Sequence, residues 1–574
     1  MKLTKSYLQK KADIAIINGK IITVDKNFTI QQAVAIKNDR IVGVGTNKQI
    51  EDLIGINTHV IDLEGKTVLP GINDTHIHAT LFGGTRPPLS LDVGYPEVRS
   101  IKDIRNMVEQ KVATLEPGEW IIGFGWNENR LKECSEDKSR HPSKLDLDSV
   151  SPDNPICFTD LHMHNVWANS KALELSGITK DTILHSGGVI EKDANSGEPT
   201  GLLIELPAMG LVMQKIPPWD REQKRQAILS AMKELNALGV TSITEPGLGP
   251  GGKGYQGGLL DSECISAYND LHNENQLTTR VNILLLFGEY GALSFEDIEK
   301  SIPFIGFHSG FGNEWLKLGG IKVFGDGIPP ARTAWMNKPY SGGEYGSLVF
   351  PGKTDEERCR ELYKIISYAH KHRFQIGIHA CGDRTIDACV DAFIRALKKD
   401  PWDARHYIIH GDFISDETIE RIVGNSIGVN IQPEVHTVIS DSLQEIMDKK
   451  LVSRQFPARK MIDAGVHVAA STDAPCMYPD WKDTIQSAVL RKSKISGKVF
   501  GPEQRISVSE AIRMFTIEAA WFDNLENQKG SIESGKLADM CILDKDILDI
   551  DPNRILEIKN IMTIVGGKIV FDDF

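Results

Sequence analysis

Val68-Leu69-Pro70-Gly71-Ile72-Asn73-Asp74-Thr75-His76-Ile77-His78 is the stretch that decides how this chain is read. An apolar run ends in Pro-Gly, and two histidines follow with one residue between them. In extended backbone, alternate side chains share a face, so His76 and His78 project the same way. Two imidazoles side by side at the end of a buried strand can hold one divalent ion. On its own, His-x-His reads equally well as two polar residues in a loop. The rest of the chain favours the metal.

Downstream of the histidines, short apolar strands alternate with helical patterns. The strands include Val240-Thr241-Ser242-Ile243-Thr244, Ile321-Lys322-Val323-Phe324, Gln375-Ile376-Gly377-Ile378, Tyr407-Ile408-Ile409 and Val468-Ala469-Ala470, with helical periodicity over 356–371 and 384–399. Alternation of buried-type strands with helices predicts a parallel sheet. Counting the strand before His76, eight such strands predict an α/β fold, a (β/α)8 TIM-like barrel over 66–84 and 221–525. Its chemistry belongs at the C-terminal strand ends. Residues 85–220 are too many for one βα connection and read as an insertion at the barrel mouth. Both ends of the chain look β-rich. Asn18-Gly19 and Asn38-Asp39 read as hairpin-type turns, and Gly566-Gly567 sits between two strand-like runs. Residues 1–65 and 526–574 are therefore expected to form one small β-sandwich domain together.

Composition narrows the partners. The 574 residues carry a formal net charge of −13, with 41% hydrophobic and 25% charged residues. No Lys/Arg run makes a basic stripe, so nucleic acid is not expected as a partner. No stretch reaches the ~20 apolar residues of a membrane span, so no membrane association is expected. Residues 1–13 lack the apolar core of a secretory signal. Eight cysteines without Cys-x-x-Cys spacing point to a reducing compartment. A cytoplasmic protein acting on a small molecule is the expectation.

Polar residues recur where the strands end: Lys322, His379 after Ile378, His410 after Ile409, and Asp473 after Ser471-Thr472. With His76 and His78 these are ligand types for a pair of zinc-like ions. An ammonium repels a metal, so Lys322 needs a reason to be there. A desolvated lysine near positive charge loses its proton. It then reacts with carbon dioxide to give a carbamate whose two oxygens bridge two ions. The competing reading is a charged Lys322 paired with Asp326. His406 lies close enough in sequence to compete with His410.

These residues resemble the amidohydrolase superfamily, and within it the YtcJ-like group (amidohydrolase family 3) that includes N-substituted formamide deformylases. The resemblance spans nearly the whole chain. Its marks are Asn18-Gly19-Lys20-Ile21-Ile22, Leu69-Pro70-Gly71 leading into His76 and His78, and His164-Asn165-Val166-Trp167-Ala168-Asn169. Others are Lys322 with Asp326-Gly327, His379-Ala380-Cys381-Gly382-Asp383, Ser471-Thr472-Asp473-Ala474-Pro475 and Gly535-Lys536-Leu537-Ala538-Asp539.

The resemblance implies that His76 and His78 hold the more buried ion. It implies that carboxylated Lys322 bridges, that His379 and His410 bind the second ion, and that Asp473 is both ligand and proton carrier. If Lys322 is unmodified, one ion on His76, His78 and Asp473 suffices. The implied reaction is hydrolysis of a non-peptide C–N bond (amide, formamide, carbamate or lactam) by metal-activated hydroxide. The implied metal is zinc, as one or two ions. His164 is expected to be catalytic at the substrate carbonyl or leaving group. Trp126, Arg332, Tyr340 and Gln432 are expected to touch substrate, though Trp126 also reads as insertion core and Arg332 as the partner of a nearby carboxylate. Asp383 and Asp412 are expected to orient histidines, and Glu245 to enter the mouth or cap a turn. A homodimer is the family-level expectation. The alternatives are a one-metal deaminase on the same barrel and a catalytically silent scaffold.

Overall fold

The computed structural model describes residues 11–94, 98–137, 139–161, 165–183, 188–204, 206–252, 257–288 and 293–574. The chain forms two compact units. One comprises the residues up to His78 together with Met232–Gly251 and Asn275–Phe574. The other comprises Ala79–Ala231 and Gly252–Glu274. The sequence expectation of an insertion over 85–220 falls inside the second unit, which begins directly after His78.

In the first unit eight parallel strands follow one another around a sheet: β1 (Ile72–Asp74), β2 (Val240–Leu248), β3 (Arg280–Leu285), β4 (Leu316–Phe324), β5 (Gln375–Ala380), β6 (Tyr407–His410), β7 (Gly428–Ile431) and β8 (Val468–Ala470). Every neighbouring pair in that order is parallel, and each strand sits next to its predecessor in sequence. Strand side chains are almost all buried, which is why these segments read as continuous apolar runs rather than alternating ones. The seam between the last and first strands is tied just beyond their ends. Asp473 N donates to His76 O at 2.9 Å, and His78 N donates to Ala474 O at 2.9 Å. The fold is a TIM-like barrel with a separate β domain.

That β domain is built from both termini. One sheet orders the strands Arg40–Gly45, Ala33–Lys37, Ile14–Ile17 and His59–Asp62. The other orders Lys568–Asp572, Asn560–Val565, Met540–Leu543, Thr67–Pro70, Lys20–Ile22 and Ile30–Gln31. A shared apolar core, including Ile16, Val34, Val68, Met540 and Ile564, lies among them.

Two expectations change here. The run Val68-Leu69-Pro70 is not barrel: it pairs antiparallel with Met540–Leu543. Only Ile72–Asp74 enters the barrel, and Gly71 is the corner between the two. A Cβ on Gly71 would lie 2.1 Å from Thr241 Oγ1, so only glycine fits where the chain crosses over. Nor does Asn18-Gly19 close a hairpin. Ile14–Ile17 and Lys20–Ile22 lie in different sheets, and the turn passes the chain from one to the other. The turn at Asn38 does close a hairpin between Ala33–Lys37 and Arg40–Gly45.

The second unit holds a six-stranded mixed sheet, ordered Val189–Lys192, Pro199–Ile204, Asn165–Ala168, Ile156–Asp160, Ile121–Trp126 and Leu91–Asp92. Phe158 and Trp167 belong to one of its buried apolar clusters and Val166 and Leu203 to another. Among the described residues no helix is long and apolar enough to cross a membrane.

Candidate metal centre

His76 and His78 lie just past the end of β1, in the turn rather than in the strand itself. They still converge. His76 Nε2 is 3.3 Å and His78 Nε2 is 3.8 Å from Asp473 Oδ1, with the rings edge-on at 5.4 Å. Asp473 arrives from the loop after β8 and is held there by its backbone bond to His76. The three ligand atoms lie within 4.8 Å of one another, a grouping able to hold one ion.

The other three residues meet the same place. The His410 ring is 5.4 Å from His76 and 4.5 Å from His379. Lys322, 1% exposed on β4, acts electrostatically on His76, His78, His379 and His410. His410 and Asp473 both have left-handed backbone, at φ 74° and 58°. Non-glycine residues in that region are strained and persist only where surrounding structure holds them.

Charge explains what the cluster can do. Burial, then the Lys322 charge, depresses the basicity of His76 and His379, the latter to about 4. Burial depresses His78 to about 4 against the pull of Asp473, and it depresses His410 with His379 adding to the effect. The imidazoles are therefore neutral at pH 7 and carry lone pairs. Burial also brings Lys322 down to about 8, with Asp473 opposing. The Phe324 ring centroid lies 4.9 Å from its Nζ.

Neighbouring bonds set the tautomers. His410 Nδ1 contacts Gln432 Oε1 at 2.7 Å, which can only accept, so Nε2 keeps the lone pair. His379 Nε2 contacts Gly327 O at 3.1 Å, which leaves Nδ1 as its acceptor. The buried Nδ1 atoms of His76 and His78 have no hydrogen-bond partner among the described residues. Neutral imidazoles facing a carboxylate, beside a lysine with no hydrogen bond or ion pair among the described residues, form a donor set that fits a divalent cation.

The remaining sequence-predicted residues divide. His164 lies outside the described residues. His406 is not at this cluster: its two ring nitrogens meet His370 Nδ1 at 2.9 Å and Ile376 N at 3.1 Å. Gln432 is fully buried, with its amide spent on protein partners. Besides His410 it bonds Asn430 Oδ1 at 2.6 Å and Ser471 Oγ at 2.8 Å, so it orients a histidine instead. Tyr340 is core, packed with Met336, Cys381 and Phe413, and its hydroxyl donates to Ala334 O at 3.0 Å. Arg332 reaches Glu344 Oε1 at 3.6 Å, the carboxylate pairing that competes with anion binding. Trp126 is buried in the second unit, where its Nε1 donates to Phe158 O at 3.0 Å. There it also lines a cavity of about 280 Å³ with Glu128, Asp160 and Glu191. Asp383 accepts from Asn337 N at 2.8 Å rather than from a histidine. Glu245 is buried within β2, which runs on to Leu248.

Asp326 has a part that the sequence did not disclose. It is not the partner of Lys322. Its carboxylate accepts from Cys381 N at 3.0 Å, Gly382 N at 2.9 Å, Trp335 N at 3.0 Å and Thr385 Oγ1 at 2.7 Å. It thus ties the loop after β4 to the loop after β5, and burial lifts it to about 6. Asp74, lifted by burial to about 7, ties β1 to the last strand through Thr472 Oγ1 at 2.5 Å. An acidic residue at or just past the end of an apolar run was the available signal for both.

The amidohydrolase family profile matches residues 59–571. The chain belongs to the amidohydrolase family. The YtcJ protein of Bacillus subtilis (strain 168), named as an amidohydrolase, is 30% identical over 96% of this chain and 98% of its own. The N-substituted formamide deformylase of Arthrobacter pascens is 27% identical over 98% of each. In fold, the chain matches the crystal structure of a metal-dependent hydrolase from Pyrococcus furiosus. The two are 25% identical with a TM-score of 0.71, over 93% of this chain and 100% of that one. Family membership carries the reaction class: the amidohydrolase described here is a metal-dependent hydrolase that takes a divalent metal.

Proposed function

We propose that the protein hydrolyses a non-peptide C–N bond in a small molecule, such as an N-acyl or N-formyl amine, a carbamate or a lactam. The observation carrying this reading is the convergence of His76 and His78 Nε2 on Asp473, with the buried Lys322 beside them brought down to about 8. His76, His78 and Asp473 would hold one zinc ion, and His379, His410 and Lys322 a second. Bound there, such ions supply Lewis acidity and a water activated at neutral pH. Neutral Lys322 Nζ would add to the carbon of carbon dioxide and release a proton, and the anionic carbamate so formed would supply oxygen ligands in place of an ammonium. Asp473 takes the proton of the attacking water and returns it to the leaving nitrogen. An amide nitrogen leaves poorly as an anion, so this return is obligatory. His410, locked by Gln432, keeps its lone pair inward. All eight cysteines are free thiols, which supports a reducing, cytoplasmic setting.

The test is amine release from a panel of amides, formamides, carbamates and lactams by zinc-loaded protein, run beside ammonia release from aminated heterocycles. Release of amine supports the reading. Ammonia release alone would replace it with deamination, and a zinc-loaded protein inert across the panel would replace it with a silent scaffold.

A further inference from the structure

Three electron-rich atoms gather around one nitrogen of His379. Gly327 O lies 3.1 Å from its Nε2, Cys381 Sγ 3.5 Å and Asp326 Oδ1 3.8 Å. The carbonyl can only accept, so Nε2 carries the ring proton and the lone pair is left on Nδ1. The carboxylate is too far away for a hydrogen bond to that N–H, yet close enough for its charge to favour a proton there.

Asp326 also places the other two atoms. It directly precedes Gly327 in the loop after β4. Its carboxylate accepts from Cys381 N and Gly382 N in the loop after β5, from Trp335 N further along its own loop, and from Thr385 Oγ1. On its other side, Gly325 N donates to His379 O at 2.8 Å, and a Cβ on Gly325 would lie 2.7 Å from that oxygen. The backbone leading to Gly327 is thus pressed against the His379 peptide. Asp326 and Cys381 are each 3% exposed, so water has little chance to replace either. Ligand atoms of Asp326, His379 and Cys381 lie within 4.8 Å of one another, a spacing that would also suit an ion. Four donors already fill the about four lone-pair sites of the carboxylate, which speaks against that use.

We propose that Asp326 is a positioning residue of the metal centre. It holds Gly327 O and Cys381 Sγ on the Nε2 edge of His379, adds its own charge there, and so presents Nδ1 as the ligand atom. The proposal rests on the reading of His379 as a metal ligand. Asp326 acts through that imidazole, as outer carboxylates do around other metal-binding histidines.

Histidine-15N-labelled, full-length, metal-free protein tests it, with His379 assigned by the signal lost in His379→Asn. Wild type should show a single Nε2–H tautomer at His379. Asp326→Asn is nearly isosteric, but it removes the charge and sets an NH2 against N–H donors. It should show mixed tautomers. In zinc titrations it should also need about 10–100-fold more metal for the weaker ion, with the tighter ion unmoved. Thr385→Val takes one donor from the carboxylate and leaves the surroundings of the His379 ring intact. It should lower the thermal midpoint yet keep the wild-type tautomer, which separates steering from a general loosening of the loops. An unchanged tautomer in folded Asp326→Asn would overturn the proposal, leaving Gly327 alone to set the ring. An equal mixture in Thr385→Val would overturn it too, because loosening would then be the cause. A wild-type His379 found as Nδ1–H would overturn it whether or not Asp326→Asn folds. If wild type takes up no zinc yet the tautomer contrast appears, the hydrolase reading fails and the positioning role stands.

Discussion

β4 carries a lysine near each of its ends, Lys317 and Lys322, and burial brings both to about 8. Their surroundings part from there. Lys317 Nζ donates to Asp523 O. Asp523 is the hub of a closed polar cluster: it pairs with Lys529 at 2.7 Å and accepts from Asn73 at 2.8 Å, Asn282 at 3.1 Å and Thr244 at 3.4 Å. Lys322 has no such hub. It stands among histidines whose basicity it helps to depress. Desolvation therefore makes neither lysine special. A lysine becomes chemically available when burial lowers its basicity and no neighbour claims the nitrogen. One end of the barrel ties the C-terminal return of the chain to the strands; the other keeps a nitrogen and several imidazoles unspent.

The sharpest way to break this contrast is to damage each end separately. Asp473→Asn should lower kcat on the order of 10²–10⁴-fold, since it removes the carboxylate proposed to carry the proton while keeping the shape. Lys322→Met should fall at least as far, with near-wild-type thermal unfolding. Lys317→Met should leave kcat of the folded fraction close to wild type. Equal losses of kcat from the two lysine variants would erase the distinction between the ends.

Next in size is the opposite lesion. Asp523→Ala strands the Lys529 charge and the Asn73, Asn282 and Thr244 donors in a buried place. Removing one member of a buried pair costs about 3–5 kcal/mol. Urea unfolding should show a loss of that size, with kcat per folded molecule retained. A stable Asp523→Ala protein would mean that the cluster is not what anchors the return segment.

How much of this could be read from the chain follows from what each feature leaves in sequence. A parallel barrel strand is a continuous apolar run, and its polar residue stands near or just past the C-terminal end of that run. Lys322, His379, His410 and Asp473 were visible for that reason. Val68-Leu69-Pro70 has the same apolar texture but belongs to the sandwich, because an apolar run does not say which sheet it joins. The pairing of Gln432 with His410 and the four donors on Asp326 were invisible, since contacts between separate loops impose no period. The two lysines of β4 are five residues apart, and strict alternation would place them on opposite faces. Pairing with β3 skips from Leu318 to Gly320, and that shift brings both inside. Gly319 permits it: a Cβ there would sit 2.3 Å from Asn282 Oδ1.

A smaller effect is expected where a histidine is only steered. Gln432→Leu removes the acceptor that keeps the proton on His410 Nδ1. Zinc affinity should weaken by about 10–100-fold, read by titration of metal-free protein, with secondary structure unchanged. Gln432→Glu keeps an acceptor at the same place and should recover most of the affinity. If Leu and Glu behave alike, the contact is packing and not orientation.

The smallest effect separates the two lysines by pH. A lysine near 8 is about one-tenth neutral at pH 7 and about nine-tenths neutral at pH 9. Only the neutral amine adds carbon dioxide. With bicarbonate present, the modified fraction at Lys322 should climb across that interval, seen as a carbon-13 carbamate signal that Lys322→Met removes and Lys317→Met does not. Both lysines also leave a mark on stability, and its sign is set by linkage. Each folded-state value lies below the ordinary 10.5, so between about pH 8 and 10.5 the unfolded chain binds more protons than the folded one. Stability from these groups therefore rises with pH across that window. Each Lys→Met variant should flatten part of the rise in urea midpoints, while only one abolishes the carbamate. Flattening by Lys322→Met alone would show that Asp523 keeps Lys317 charged. The contrast between the ends of β4 would then lie in basicity as well as in access.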